Sequence, residues 1–167
     1  DPDKVGALLN ACYNSIPQKG YVYYFFDPLI TACSDDGWSS EEVQGTAIQG
    51  AYSGNASASG HPIRDMHDGH GSSNNAYWSR YWQQIRLCNQ FLENIDNAAV
   101  HSETERARFK AEAHVLRAYF YSELIKWFGK LPIVDKTIEF DADFSTLRRE
   151  KVYDVVKFIA SDCEAAI

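Results

Sequence analysis

Residues 111–132, AEAHVLRAYFYSELIKWFGKLP, constrain the fold more than any other part of the chain. At about 100° per residue, this run and the residues just before it place apolar side chains on two nearly opposite faces of one helix. One face carries Phe109, Ala113, Leu116, Phe120, Leu124 and Trp127, and the other carries Ala111, His114, Val115, Ala118, Tyr121 and Ile125. A helix with two apolar faces is covered by neighbours on both sides. We therefore predict the middle helix of an all-α stack.

Both ends of this helix carry sequence signals. Ser102 followed by Glu105 is a capping box, so the helix begins at about this point. Gly129 can adopt the left-handed backbone conformation that ends a helix, and Pro132 prevents the helix from resuming.

Three further segments show helical spacing of apolar residues. They are residues 3–13, residues 77–97 and residues 148–167. Their predicted buried faces are Val5, Leu8, Leu9 and Cys12; Tyr81, Ile85, Cys88, Leu92 and Ile95; and Val152, Val155, Ile159, Cys163 and Ala166, respectively. The short link at residues 98–102 predicts that the second and third helices are antiparallel neighbours. This pattern favours a tetratricopeptide-like stack, with a shorter helix near residues 21–30 and an extended connection at residues 131–145.

Charge and cysteine content exclude several classes of protein. A net charge of −7 argues against a nucleic-acid surface, which needs basic stripes to meet phosphates. The four cysteines are widely spaced and include no CxxC pair, so neither a zinc cage nor a disulfide framework is implied.

No apolar run approaches the roughly 20 residues that span a bilayer. The motifs of hydrolases and phosphate-binding enzymes are also missing, and we predict no enzymatic activity and no cofactor.

Two polar residues lie within the central apolar helix. We interpret Arg117 as a partner in a salt bridge between helices, because one guanidinium can satisfy several acceptors. We interpret His114 as a packed and hydrogen-bonded histidine, since buried polar groups ordinarily have partners. Neither residue is predicted to contact a ligand.

The ordered motifs of this chain resemble those of the SusD/RagB family of Bacteroidetes outer-membrane nutrient-binding lipoproteins. The resemblance rests on the helix Trp78-x-x-Tyr81-x-x-x-Ile85-x-x-x-Asn89-x-x-Leu92 and on the run RARFKAEAHVLRAYFYSELIKWFGKLPIV. Within that run, Glu112-Ala113, Leu116-Arg117-Ala118-Tyr119, Leu124, Phe128-Gly129 and Leu131-Pro132 follow the family signature. Ser34-Asp35-Asp36 looks like its early acidic element, and residues 148–167 look like its next helix.

The resemblance implies a fold, a function and partners. It implies a SusD-like helical stack, with residues 1–167 as the amino-terminal part of a longer protein. It further implies a non-catalytic surface lipoprotein of the outer membrane that binds a glycan or another nutrient. Such a protein passes its ligand to a TonB-dependent, SusC-like transporter. The alternative is a tetratricopeptide-like scaffold whose groove binds a helix or peptide of another protein.

Residues 52–75 form a Gly-, Ser-, Asn-, Asp- and His-rich segment without helical period, and we predict a recognition loop there. Amides, carboxylates and guanidinium groups suit sugar hydroxyls, and aromatic rings stack on the C–H face of a pyranose. The predicted ligand-binding residues are Arg64, Asp68, Asn74, Asn75, Tyr77 and Trp78. The histidines of the run DMHDGHG allow a metal site as an alternative. We favour the polar recognition loop, because ordering a flexible loop around a metal is costly in entropy.

Overall fold

In the computed structural model, the described residues are 1–14, 16, 77–139 and 141–167. The chain divides into two compact units, one of Asp1–Ser15 with Ser79–Ile167 and one of Ile16–Trp78. The predicted helix near residues 21–30 and the predicted loop at residues 52–75 lie outside the described residues.

Helix α1 spans Pro2–Tyr13 and matches the prediction to within one residue. The Asp1 side chain accepts a hydrogen bond from the Asp3 N–H, and Pro2 occupies the first turn, where its missing N–H costs nothing. Val5, Leu9 and Cys12 are buried as predicted. Leu8 was predicted to be buried with them, and this was wrong, because its side chain is 64% exposed.

Helix α2 spans Tyr77–Asn94 and is followed by a 3-10 turn at Ile95–Asn97, within the predicted bounds. Tyr81, Ile85, Cys88 and Ile95 are buried. Phe91, which lies outside the predicted stripe, is also buried and meets the ring of Phe109 edge-on at 6.4 Å.

Helix α3 spans Glu103–Phe128 and is the predicted central helix. Ser102 Oγ accepts from the Glu105 N–H at 3.1 Å, which confirms the cap. The Glu105 carboxylate accepts from the His101 N–H, one residue before the position of a standard capping box. The helix ends at Gly129, as predicted, and the Gly129 N–H donates to the Ile125 carbonyl. The φ of Gly129 is +66°, but its ψ of −110° lies outside the predicted left-handed helical conformation.

The two predicted faces of α3 are buried to different extents. On the first face, Phe109, Ala113, Leu116, Phe120 and Leu124 are all buried. On the second face, Ala118 and Tyr121 are buried, but Val115 is 50% exposed, so the expectation of burial there was wrong. None of the described helices covers the surface around Val115.

Helix α4 spans Val152–Glu164 and is shorter than the predicted segment 148–167. The residues before it are extended, and the Glu150 N–H donates to the Leu131 carbonyl at 2.8 Å. Val155 is fully buried as predicted, whereas Val152 and Cys163 are exposed, which contradicts the prediction for both. The buried residue near the end of α4 is Asp162, because its carboxylate pairs with α3.

Helices α1, α2 and α4 all pack against α3. Helix α1 crosses its amino-terminal half, where a Cβ on Gly6 would lie 3.7 Å from Phe109 Cζ and the Tyr13 hydroxyl donates to Glu112 at 3.0 Å. Helix α2 contributes Tyr81, whose ring lies 5.5 Å from that of Phe120. The regular structure of the described residues is entirely helical, and its arrangement is the predicted all-α stack.

Candidate functional site

The predicted ligand-binding residues fall almost entirely outside the described part of the chain. Arg64, Asp68, Asn74 and Asn75 lie outside it, as does the DMHDGHG run. Tyr77 and Trp78 form the first turn of α2. The backbone of Tyr77 is described but its side chain is not, and Trp78 is half-buried. The assignment of these residues to a ligand site therefore stays a prediction.

A buried ion pair between α3 and α4 forms the most densely bonded polar cluster of the described residues. Arg117 Nη2 donates to Asp162 Oδ1 at 2.6 Å, and Arg117 Nε donates to Asp162 Oδ2 at 2.8 Å. Both side chains are buried, and the paired geometry matches the guanidinium fork to the two carboxylate oxygens. The prediction of an interhelical salt bridge at Arg117 is confirmed.

Three further groups complete the surroundings of this pair. His114 Nδ1 lies 2.8 Å from Asp162 Oδ1, which confirms a packed and hydrogen-bonded histidine. Arg117 Nη1 donates to Asn89 Oδ1 of α2 at 2.7 Å. The guanidinium carbon lies 5.2 Å from the centre of the Phe158 ring, a cation–π contact.

The electrostatics of the cluster favour a permanently charged arginine. Burial alone would lower the pKa of Arg117, but hydrogen bonds from its guanidinium to Asp162 and the charge of that carboxylate outweigh burial and raise it. The donors of the guanidinium point at protein acceptors, so Arg117 has little capacity left for a ligand. We interpret this cluster as a structural clamp that joins α2, α3 and α4.

The same cluster holds the extended connection that follows α3. Asn89 Nδ2 donates to the carbonyls of Val134 and Lys136, both at 3.0 Å, and Arg117 Nη1 donates to the Asp135 carbonyl at 3.2 Å. Three consecutive carbonyls, which no regular ladder would satisfy, are thereby bonded by side chains of the helices. We call residues 131–139 the strap.

Four further hydrogen bonds, made by three side chains, fix the strap at its ends. The Tyr121 hydroxyl accepts from the Val134 N–H at 2.8 Å and donates to the Pro132 carbonyl at 3.3 Å, and burial raises its pKa. At the other end, Glu93 accepts from the Thr137 N–H at 2.7 Å, and Arg86 donates to the Ile138 carbonyl. This hydrogen bond from Thr137 lowers the pKa of Glu93. The strap is extended, as predicted, and it is fixed by side chains. The end of the predicted extended connection at residues 131–145 is different, because Phe144–Thr146 form a 3-10 turn capped by Asp143.

Sequence reasoning did not identify the partner of Arg117. Asp162 lies 45 residues away and one position before Cys163, which the apolar spacing had selected. The sequence did contain a signal that Asp162 is buried, because Asp162 follows Val155 by two helical turns and therefore lies on the same face of α4. Asn89 belongs to the motif on α2, yet its role in bonding the strap is visible only in the structure.

An apolar cavity of about 220 Å³ lies between α1 and the carboxyl-terminal half of α2. Val5, Leu8, Phe91 and Ile95 contribute to its walls, and the exposed Leu8 is thereby explained as a wall residue. Gln90 and Asn94 also line it, but most of the surface is apolar, whereas a sugar site requires several convergent polar groups. The cavity does not resemble a glycan site.

Among the described residues, no group of three or more histidine, cysteine, aspartate or glutamate side chains is placed to hold a metal ion. The search within that part of the chain also found no helix of the length and hydropathy that crossing a bilayer requires.

Comparison with protein families identifies the chain. The family described as "Starch-binding associating with outer membrane", a SusD-like family, matches residues 30–167. The match includes α2, α3, the strap and α4. The chain belongs to the SusD-like family. Among curated proteins, no match was found.

Solved structures of SusD-like proteins share the fold. A SusD-like protein from Bacteroides fragilis NCTC 9343 is 25% identical, with a TM-score of 0.69 over 99% of this chain. A laminarin-binding SusD-like protein is 21% identical, with a TM-score of 0.64 over 100% of the chain. Surface glycan-binding protein A from Bacteroides fluxus is 18% identical, with a TM-score of 0.58 over 99% of the chain. The chain spans 29%, 34% and 33% of the lengths of these three proteins, respectively.

Proposed function

We propose that this SusD-like chain belongs to a non-catalytic glycan-binding subunit at the cell surface. The subunit is a lipoprotein of the outer membrane that passes its ligand to a TonB-dependent, SusC-like transporter. The observation that carries the proposal is the family match over residues 30–167, since the family is described as starch-binding and associated with the outer membrane. Residues 1–167 then form the amino-terminal part of its helical domain.

The proposed binding surface is the predicted recognition loop at residues 52–75 together with the first turn of α2. It comprises Arg64, Asp68, Asn74, Asn75, Tyr77 and Trp78, whose amide, charged and aromatic groups suit a saccharide. One structural relative is named for binding laminarin and another as a surface glycan-binding protein, which supports the same ligand class. The clamp at Arg117 contributes by fixing the scaffold that carries α2.

Glycan binding is tested by screening the purified full-length protein on a glycan array. Each saccharide bound on the array is then titrated by calorimetry. We expect saturable binding to at least one oligosaccharide, and a protein that binds none would contradict the proposal. Chromatography of the bound saccharide after prolonged incubation is expected to show no shorter products, because no bond is broken.

The site is tested by Trp78→Ala and Asn75→Ala in the same titration. Loss of a stacking ring is expected to weaken binding about tenfold, which corresponds to roughly 1.4 kcal/mol. Tyr153→Ala is the matched control, because Tyr153 is a 70% exposed aromatic residue on α4, outside the proposed surface. Thermal unfolding of each variant separates loss of binding from loss of fold. Unchanged affinity in both site variants would refute the site and leave the ligand class intact.

The transporter partner is tested by affinity purification of the tagged protein from its own outer membrane. We expect a stoichiometric TonB-dependent transporter in the purified complex. Purification of the protein alone, under conditions that preserve outer-membrane complexes, would argue against transfer to such a partner.

A further inference from the structure

Helix α4 carries an apolar stripe that the described part of the chain leaves largely open. Val152, Val156, Ile159 and Cys163 follow one another at intervals of four, three and four residues, so they lie along one side of the helix. Val152 is 45% exposed and Val156 is 49% exposed. Cys163 is also exposed, and Ile159 is partly exposed. We call these four residues the α4 stripe.

The α4 stripe is distinct from the side of α4 that packs against α3. That side consists of Val155, Phe158 and Asp162, of which Val155 is fully buried and Asp162 belongs to the clamp. The Phe158 ring meets the Tyr121 ring of α3 edge-on at 5.0 Å. At about 100° per residue, the stripe is turned by roughly 100° around the helix from these residues. Helix α3 therefore covers only one part of a wider apolar arc.

The rest of the circumference of α4 is polar, as expected of a side that faces water. Lys157 and Asp154 form an ion pair there at 2.9 Å, and Ser161 and Glu164 are exposed on the same side. A helix that buries an apolar arc wider than one neighbour has two neighbours. Within the described ranges, α3 is the neighbour that covers this arc, and the stripe is left for a second one.

We propose that the α4 stripe packs against a further amphipathic helix of the same protein, from the part carboxyl-terminal to residue 167. The inference rests on the proposal that residues 1–167 form the amino-terminal part of a longer protein. The three SusD-like structures support it, because this chain is aligned over 99–100% of its length but spans only 29–34% of theirs. The larger part of such a protein lies outside these residues and can supply another helix.

The dimensions of the stripe fit one helix. The rise from Val152 to Cys163 is about 16 Å, or three helical turns. A helix of similar length, with apolar residues at the same three- and four-residue spacing, can pack its side chains between those of the stripe. The contact would continue the helical stack beyond α4 and fix α4 from a second side.

A second copy of the chain is a poorer occupant of this surface. A stable interface between two proteins buries about 800 Å² on each partner and involves roughly 20–30 residues a side. The stripe offers four side chains on a helix of 13 residues. Association of two molecules also costs translational and rotational freedom. A helix of the same chain is held nearby by the backbone and avoids most of that cost.

Cys163 provides a native probe of the stripe in the full-length protein. The reduced protein is treated with N-ethylmaleimide under native conditions, and modification of each cysteine is followed by mass spectrometry of its peptide. Each rate is divided by the rate of the same thiol in the urea-unfolded protein, which removes differences in intrinsic reactivity. We expect Cys163 to react at least about 100-fold more slowly in the folded protein, because the packed helix must open before the reagent enters.

Ser161→Cys is the matched control, because Ser161 is exposed on the polar side of α4. The thiol introduced there should react within about threefold of its rate in the unfolded protein, since no packed element covers it. The buried Cys12 and Cys88 serve as internal standards of protection. If Cys163 in the folded protein were no better protected than the introduced thiol, the inference would be overturned.

Photo-crosslinking identifies the occupant. A diazirine amino acid is introduced at Val156 of the full-length protein and, in a second variant, at Lys157 on the polar side. After irradiation, crosslinked peptides are mapped by mass spectrometry. We expect the probe at Val156 to join a peptide from beyond residue 167, in a product that migrates as a monomer, and the probe at Lys157 to give far less of it. Crosslinks from Val156 only to residues 1–167, to a second copy or to another protein would overturn the inference, as would none.

Neither readout depends on a ligand. Protection of Cys163 in a protein that binds no glycan would leave the packing of α4 standing and contradict only the proposed function. Glycan binding by a protein with a freely reactive Cys163 would support the proposed function and overturn the packing inference.

Discussion

The two halves of helix α3 are packed by different kinds of contact. The amino-terminal half buries Phe109 against Phe91 of α2 and lies close to Gly6 of α1. The carboxyl-terminal half buries Arg117 against Asp162 of α4, with Asn89 and the strap on its other side. The amino-terminal half is held mainly by apolar surface, whereas the carboxyl-terminal half, which also buries Phe120 and Leu124, adds a buried charged network.

This difference affects how each half responds to change. Apolar burial is non-directional, so a smaller apolar side chain loses only part of the contact. A buried ion pair depends on both partners, because removal of one leaves an uncompensated charge away from water. We therefore expect the carboxyl-terminal half of α3 to be the less tolerant of substitution.

Removal of the buried carboxylate is the strongest test of that expectation. Asp162→Ala should lower the free energy of unfolding by about 3–5 kcal/mol in urea denaturation, because Arg117 loses its paired acceptor. The control is Asp154→Ala, which removes an exposed pair with Lys157 on the same helix. That change should cost about 0–1 kcal/mol. Equal losses in the two variants would remove the distinction between the halves.

A smaller loss is expected in the apolar half. Phe109→Leu should cost about 1–2 kcal/mol, from the lost edge contact with Phe91 and a small cavity. The same change at Phe144, which is 57% exposed, should stay within about 0.5 kcal/mol. If Phe109→Leu destabilised the protein as much as Asp162→Ala does, the carboxyl-terminal half of α3 would not be the less tolerant half, and the proposed difference would be contradicted.

The cap at the start of α3 is expected to contribute less to the free energy of unfolding than the buried ion pair or the apolar contacts of Phe109. Ser102→Ala should cost about 1 kcal/mol, because the Glu105 N–H loses its acceptor. Ser161→Ala, the same change within α4, is the control and should be close to neutral. Thermal shifts of equal size in both variants would show that the cap does not stabilise the amino-terminal half.

The smallest effect is predicted at the α1 contact and has the opposite sign. Gly6→Ala should stabilise the protein by about 0.5–1 kcal/mol, since alanine favours a helix and its Cβ would make ordinary contact with Phe109. Gly129→Ala should destabilise it despite open space, because φ is +66° there. Destabilisation by Gly6→Ala would mean that α1 lies closer to α3 than the structure indicates.

The sequence predicted the apolar half of α3 more completely than the charged half. Helical periodicity located Phe109 and Ala113, and local signals located Ser102 and Gly129, because these features depend on neighbouring residues. The periodicity rule counts apolar side chains, so on α4 it selected Cys163 and passed over Asp162. A carboxylate becomes a core residue only when a distant arginine compensates its charge, and no local pattern contains that information.

For both the strap and the predicted recognition loop, the sequence predicts the type of segment but not the contacts that it makes. The extended connection at residues 131–145 was predicted, but its hydrogen bonds to Asn89, Arg117 and Arg86 depend on how three helices meet. The predicted ligand-binding residues share suitable chemical groups and lie in or next to a segment that has no helical period. Their convergence depends on the backbone path of that segment, and it remains to be tested by the Trp78 and Asn75 variants.

The central claim is that the family signature residue Arg117 acts as a clamp through Asp162. A double-mutant cycle with Arg117→Met and Asp162→Leu, measured by urea denaturation of the full chain, tests it most directly. The account predicts that each single change is strongly destabilising and that the double variant is more stable than the sum of the two implies, with a coupling of about 2–3 kcal/mol. Losses that add to within about 0.5 kcal/mol would contradict it.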